Sequence, residues 1–325
     1  MEFAQVADAL QGDLELVEAR LRRSAEVDYP LVGDLLLAII GGGGKRLRPL
    51  LMMLSCRPFQ YDRERVVVAA AGVEMLHTAS LVHDDTIDRA LLRRGQPTLN
   101  SVFNSETVIL LGDYLFAQSA ILATETMNPR VVAVFAQTLG HICDGQLREI
   151  FTAGRVDQSR EEYEQRIYGK SASLFAGAAE MGALLGQADE GQVENLRAFG
   201  GEVGMAFQIV DDVLDLRSTS DVLGKPVGSD LRQGTLTLPT MLYLEHADGA
   251  APARTVRRIF DGEEVSDAEF AQVATAIQES GALDASIASA HEYVARAKDR
   301  LAVLPDQQTA RYLAAFADYS LERVS

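Results

Sequence analysis

"VVVAAAGVEMLHTASLV", residues 66–82, is apolar on nearly every side at helical spacing and runs directly into "HDDTID", residues 83–88. A helix that is hydrophobic all round belongs inside a large helical body rather than on its surface. No stretch of the 325-residue chain alternates cleanly with period two. Helical periodicity instead covers 3–25, 63–87, 102–126, 129–152, 160–186, 190–217, 251–261, 266–280, 283–304 and 307–322. Short turn clusters such as "RRGQPTLNS" (93–101) separate these segments, and no long linker divides them. The expectation is one all-α domain over residues 1–325.

Composition narrows the possibilities. A net charge of −17 argues against a nucleic-acid partner, because phosphate backbones demand a basic surface. It leaves room for a small phosphorylated substrate held by a few local cations. The N-terminus "MEFAQVADALQGDLELVEAR" has neither a basic leader nor a cleavage site, and the longest apolar run in the first fifty residues is "LLLAII" (35–40). A soluble, cytoplasmic chain without a membrane span is expected. Cys56 and Cys143 lie in apolar helical surroundings, neither has a second Cys or a His at metal-ligand spacing, and both read as reduced core thiols. The five histidines include no i, i+4 pair, so a helical zinc site is not indicated.

Function is carried by an internal echo. "VHDDTID" (82–88) and "VDDVLD" (210–215) each place Asp-Asp-x-x-Asp at the C-terminal end of an apolar helix. Asp84 and Asp88 share one helix face, as do Asp211 and Asp215, while Asp85 and Asp212 point about 100° aside. Carboxylates at the negative end of a helix dipole are unfavourable, and buried ones need partners. Mg²⁺ answers both problems, since it takes one or two carboxylates and completes its shell with waters and phosphate oxygens. Two facing clusters would thus hold Mg²⁺ around one diphosphate, with Arg93 and Arg94 reaching the remaining oxygens. A neutralised diphosphate is a good leaving group.

The other candidate cations occupy three settings. "GGGGKRLRP" (41–49) offers Lys45, Arg46 and Arg48 after glycines that let backbone approach an anion. It is not a Walker A loop, because Arg46 stands where Ser or Thr is required. "GKSASLF" (169–175) places Lys170 within a helical stretch, and "LGKPVGSDLRQGTLTLP" (223–239) carries Lys225 in a glycine-punctuated loop after the second acidic helix.

In ordered combination, "GGKRLRP", "HTASLVHDDTID", "RRGQPT", "GDYLFA", "YGKSASLF", "FQIVDDVLD" and "GKPVGSDLRQG…TLP" resemble the trans-isoprenyl diphosphate synthases of the polyprenyl synthetase family. The resemblance spans nearly the whole chain. It implies a single helical bundle of the isoprenoid synthase fold around a central substrate cavity, and a prenyltransferase joining isopentenyl diphosphate to an allylic diphosphate. It assigns Asp84, Asp88 and Asp211 as Mg²⁺ ligands, with Asp85, Asp212 and Asp215 supporting them. Arg93, Lys170 and Lys225 would contact the allylic diphosphate, with Ser171 and Gln208 nearby. Lys45, Arg48, His77 and Arg94 would hold isopentenyl diphosphate, although His77 also reads as a satisfied core histidine. In this chemistry the allylic diphosphate ionises, the isopentenyl double bond attacks, and a proton leaves.

Two features refine the expectation. Ala79 and Ser80 lie about 6–8 Å below the first cluster along the helix. Family members that stop early carry bulky aromatics there, so small residues imply a medium- or long-chain product. Thr235 stands where many members have a lysine. That departure leaves open a catalytic subunit of a heteromeric synthase beside the family's usual homodimer, for which 101–122 is a candidate interface. The alternatives are a short-chain synthase, a non-catalytic subunit, which would tend to lose aspartates, and a terpene cyclase, which would lack the isopentenyl cations. Delivery of an apolar product to a membrane enzyme is a further expectation.

Overall fold

The computed structural model describes residues 3–41, 44–93, 96–217, 228–247 and 249–322. Arg94 and Lys225 therefore lie outside the described residues. In chain order the helices are α1 (Phe3–Asp8), α2 (Gln11–Arg23), α3 (Pro30–Gly41), α4 (Leu47–Cys56), α5 (Arg63–Ile87), α6 (Ser105–Glu125), α7 (Pro129–Thr152), α8 (Arg160–Ile167), α9 (Ser173–Leu185), α10 (Glu190–Arg217), α11 (Ser229–Arg232), α12 (Leu238–His246), α13 (Ala251–Phe260), α14 (Asp267–Glu279), α15 (Ala282–Asp299) and α16 (Gln307–Glu322). The fold is all-α as expected, apart from a two-residue hairpin between β1 (Leu92–Arg93) and β2 (Gln96–Pro97), with Leu92 opposite Pro97 and Arg93 opposite Gln96.

Capping explains where the long helices begin. Asp62 accepts a hydrogen bond from the Arg65 backbone N–H at the start of α5, and Asn104 accepts one from Thr107 at the start of α6. Ser159 and Glu162 form a reciprocal capping box before α8, as Ser266 and Glu269 do before α14. The quoted stretch becomes the middle of α5, where Val66, Ala70, Ala71, Val73, Met75, Leu76 and Ala79 are wholly buried. This helix packs chiefly against α6, with α2 and α4 beside it. A second layer pairs α10 with α9 and α15, and α9 links the layers through α4 and α7.

Several expectations change. The segment 3–25 is two helices, because the chain turns at Ala9 and Leu10 to bury the Leu10 side chain. Helices α3, α4 and α12 fall outside the segments expected from periodicity; α4 is only ten residues long and buried on every side from Pro49 to Cys56. Of the two thiols Cys56 is a core residue, but Cys143 is exposed on α7, which corrects its reading as a core thiol. Among the described residues two helices, α5 and α6, are long and apolar enough to cross a membrane by length and composition. The apolar window of α5 is 72% buried within the helical body, and that of α6 is 39% buried.

Candidate active site

Glycine contacts set the frame of the site. An added Cβ on Gly145 of α7 would come within 2.2 Å of the Lys170 backbone nitrogen, and one on Gly169 within 2.9 Å of the Gly145 Cα. The two backbones touch, so Glu149, one turn beyond Gly145, meets the Lys170 ammonium in an ion pair. Lys170 and Ser171 belong to a wide π-helical turn, Tyr168–Ala172, that joins α8 to α9. Such turns recur at functional sites because they redirect side chains without ending the helix. On α10, Gly200 and Gly204 abut Phe175 and Ala172 in the same way. The next residues at this four-residue spacing are Gln208 and Asp212. Gln208 accepts a hydrogen bond from the Ser171 hydroxyl at 2.6 Å and donates to Asp212 at 2.8 Å.

The first acidic cluster closes α5. Asp85, the residue pointing aside, is 8% exposed, and both its oxygens accept from Arg93 Nε, at 2.8 and 3.0 Å. Burial pushes the Asp84 carboxyl up to about 6, with Glu149 and Asp88 adding to the rise against Lys170 and Arg93. Burial disfavours the Lys170 charge, yet Glu149, Asp84 and Asp88 outweigh it and hold that ammonium above its ordinary range.

The second cluster closes α10 and is tied down more tightly. Asp212 is 3% exposed and accepts from the Tyr163 hydroxyl at 2.8 Å as well as from Gln208. Burial still lifts its carboxyl to about 7, against the pull of those two donors and of Arg166. Asp215 accepts the Ser229 and Asp230 backbone N–H groups, each at 3.1 Å, and so caps α11. Asp230 stands well above the usual carboxylate range, through burial and then the charges of Asp215, Asp212 and Glu149. Lys170 opposes that rise. The Glu149–Lys170 pair is thus in electrostatic reach of Asp84 and Asp88 on one side and of Asp230 on the other. Asp230 is joined to the end of α10 through Asp215, which accepts its backbone N–H.

Glu149, Asp230 and Tyr163 were missed by sequence reasoning. Asp230 lies inside a quoted motif, "GSDLRQG", and was the one with a usable signal; Glu149 and Tyr163 reach the site through contacts between distant segments that no periodicity encodes. The donor set is carboxylate oxygen throughout, which suits a hard divalent cation. Among the described residues no three His, Cys, Asp or Glu side chains form a ready-made cage. A cation that relies on one or two carboxylates and on substrate oxygens fits this arrangement.

The remaining predicted residues are placed as follows. His77 is half-buried on α5, and the Ser80 hydroxyl donates to its carbonyl at 2.8 Å. Ala79 is wholly buried and Ser80 half-buried. Lys45 donates to the Tyr319 hydroxyl and sits 4.5 Å from that ring's centroid. The Arg48 guanidinium lies 4.6 Å from the Phe175 ring. Thr235 donates its N–H to the Asp230 carbonyl at 2.9 Å, so the position of the absent lysine borders the second cluster.

A sequence profile described as polyprenyl synthetase matches residues 30–277. The chain belongs to the polyprenyl synthetase family. Among its relatives is heptaprenyl diphosphate synthase component 2 of Geobacillus stearothermophilus, 40% identical over 305 residues, which are 94% of each chain. Nonaprenyl diphosphate synthase of Mycobacterium tuberculosis is 38% identical over 311 residues, 95% of this chain and 90% of that one. A polyprenyl synthase of Caulobacter crescentus, solved with calcium and isoprenyl diphosphate, superposes with a TM-score of 0.94 at 32% identity, covering 100% of this chain and 98% of that one. Like these polyprenyl synthetase relatives, the chain is a prenyltransferase.

Proposed function

We infer that this polyprenyl synthetase condenses isopentenyl diphosphate with an allylic diphosphate to build a medium- or long-chain polyprenyl diphosphate. The observation that carries the reading is the Glu149–Lys170 pair, which lies within the electrostatic reach of Asp84 and Asp88 at the end of α5 and of Asp230, the residue that Asp215 holds beside the end of α10. Asp84, Asp88 and Asp211 would hold Mg²⁺ there, which neutralises the diphosphate and makes it a leaving group. Lys170, Arg93 and Lys225 add charge-assisted contacts to the allylic diphosphate, and Ser171 and Gln208 orient that side of the site. Asp85 steers Arg93, while Asp212 and Asp215 brace the second cluster. Lys45, Arg48, His77 and Arg94 hold isopentenyl diphosphate with its double bond towards the allylic carbon. The carbon–oxygen bond breaks, a carbon–carbon bond forms, and the proton lost from the adduct restores a double bond.

Ala79 and Ser80 leave the shaft beneath the first cluster open to a growing chain. A single catalytic domain over residues 1–325 and a cytoplasmic location belong to the same reading, as does delivery of the product to a membrane enzyme. So does a homodimer through α6 and α7, supported by Leu110 and Phe151, which are 68% and 77% exposed on those helices. The component-2 relative gives a heteromeric assembly a place beside it. Incubating the isolated protein with farnesyl diphosphate, isopentenyl diphosphate and Mg²⁺, then sizing the products by chromatography, tests the reading. Products longer than farnesyl are expected; none would overturn it.

A further inference from the structure

Lys45 and Arg48 are given above to isopentenyl diphosphate, but the arginine between them turns the other way. Arg46 has a left-handed backbone, φ 47°, immediately before α4 begins. Its guanidinium points back into the body. Nε donates to Glu18 at 2.5 Å, Nη1 to Glu74 at 2.9 Å, and Nη2 to the Ile40 carbonyl at 2.7 Å. Those partners lie on α2, α5 and α3, so one side chain ties three helices to one turn of loop. The Arg46 and Glu74 side chains are only 10% and 7% exposed, which takes Arg46 out of reach of a ligand in the cavity.

The placement matters because of what flanks it. One residue before Arg46 is Lys45, held against Tyr319 of α16; two residues after is Arg48, in the first turn of α4 against Phe175 of α9. Glu74 lies one helical turn before His77 on α5. A left-handed conformation at a position other than glycine is disfavoured unless surrounding structure enforces it. Here the enforcement comes from the buried fork, and the same fork fixes the direction in which the chain leaves Lys45 and enters α4. Glycine would adopt that φ freely and leave the direction loose.

Resting on the reading above, we propose that Arg46 is a positioning residue for isopentenyl diphosphate, fixing the spacing of Lys45, Arg48 and His77 without touching the ligand. Arg46→Lys keeps the charge and loses the fork. It raises KM for isopentenyl diphosphate about tenfold and leaves kcat and KM for the allylic substrate within about twofold, a split that marks lost binding of one substrate. Glu18→Gln is the second variant. Its side chain is 28% exposed, so the fold tolerates the change, and the expected rise in the same KM is about threefold. An unchanged KM for isopentenyl diphosphate in the folded variants overturns the proposal. A parallel rise in both KM values, or a loss of kcat alone, assigns Arg46 a purely structural role and also overturns it. Lys45→Ala is the control: if it raises that KM and the Arg46 and Glu18 variants do not, the functional reading stands and this inference falls. If the wild type consumes no isopentenyl diphosphate, both fall.

Discussion

The ends of α5 and α10 carry the same Asp-Asp-x-x-Asp spacing, yet they are built differently. At the end of α10, Asp212 is clasped by Tyr163 and Gln208, and Asp215 is spent on capping α11. At the end of α5, Asp85 is tied to Arg93, which projects from a two-residue hairpin strand, and Asp84 is balanced by the charges around it. The second cluster is fixed by its protein neighbours and ties α10 to α11; on the proposed reading the first is the one that offers Asp84 and Asp88 to ligands. The residues below each cluster repeat the contrast. Four residues before Asp84 stands Ser80, whereas four before Asp211 stands Phe207, which packs on Phe175 at 5.4 Å. On the proposed reading, room for a growing chain belongs to the α5 side, where the side chain is the smaller.

The comparison breaks most visibly at the first aspartate. Asp84→Asn should lower kcat by about 10³, in line with loss of a principal electrostatic contact in the transition state. Excess chelator should abolish turnover in the wild type. A variant that turns over at the wild-type rate, or activity that survives chelation, would dissolve the distinction between presented and bracing carboxylates.

Tyr163→Phe probes the brace. It removes one donor from a buried carboxylate, at a cost of about 1–3 kcal/mol in stability. Activity of the folded fraction should fall by no more than about tenfold, because a residue that acts through Asp212 loses orientation and not contact. Urea denaturation with steady-state kinetics separates the two, and a loss as large as that of Asp84→Asn would erase the contrast.

The pH dependence is smaller and has a definite sign. Asp84 and Asp212 are raised to about 6 and about 7, from 3.8 for each in the absence of perturbation. Between those limits the folded, metal-free protein holds protons that the unfolded chain releases, so this contribution to stability is present at low pH and lost as pH rises through 6 to 7. Urea midpoints of chelated protein should decline across that window. Mg²⁺ with inorganic diphosphate should flatten the slope by binding the ionised form. A midpoint that climbs as pH rises towards about 7 would show that the clusters are not desolvated as described. Finally, Ala79→Phe should shorten the product by a few isoprene units with little change in initial rate, since the added ring fills the shaft and leaves the charged head untouched; an unaltered length distribution would place growth elsewhere.

Much of this was legible in the residues. The bounds of α5, α7 and α10 follow from capping residues and apolar spacing, and the paired aspartates announced themselves by crowding like charge at the wrong end of a helix dipole. Other parts were not legible, for physical reasons. Helix α4 is short, starts after a left-handed Arg46 with no side-chain cap, and is buried on every side from Pro49 to Cys56. The hold of Arg93 Nε on both Asp85 oxygens depends on the fold of the hairpin after α5, and the pairing of Glu149 with Lys170 on how close two backbones approach, which glycines permit but do not reveal. Cys143 looked like a core thiol because its neighbours are apolar; Leu147, Ile150 and Phe151 on the same helix are themselves exposed.

The wide turn at Tyr168–Ala172 lets one rod serve two clients. Regular winding through that segment would rotate everything before it by about 100° relative to everything after it. Tyr163, which clasps Asp212, and Lys170, which faces Asp84, could not then both address their targets. A one-residue deletion of Gly169 would turn Tyr163 away from Asp212, or Lys170 away from Asp84, while leaving every charged group in the sequence.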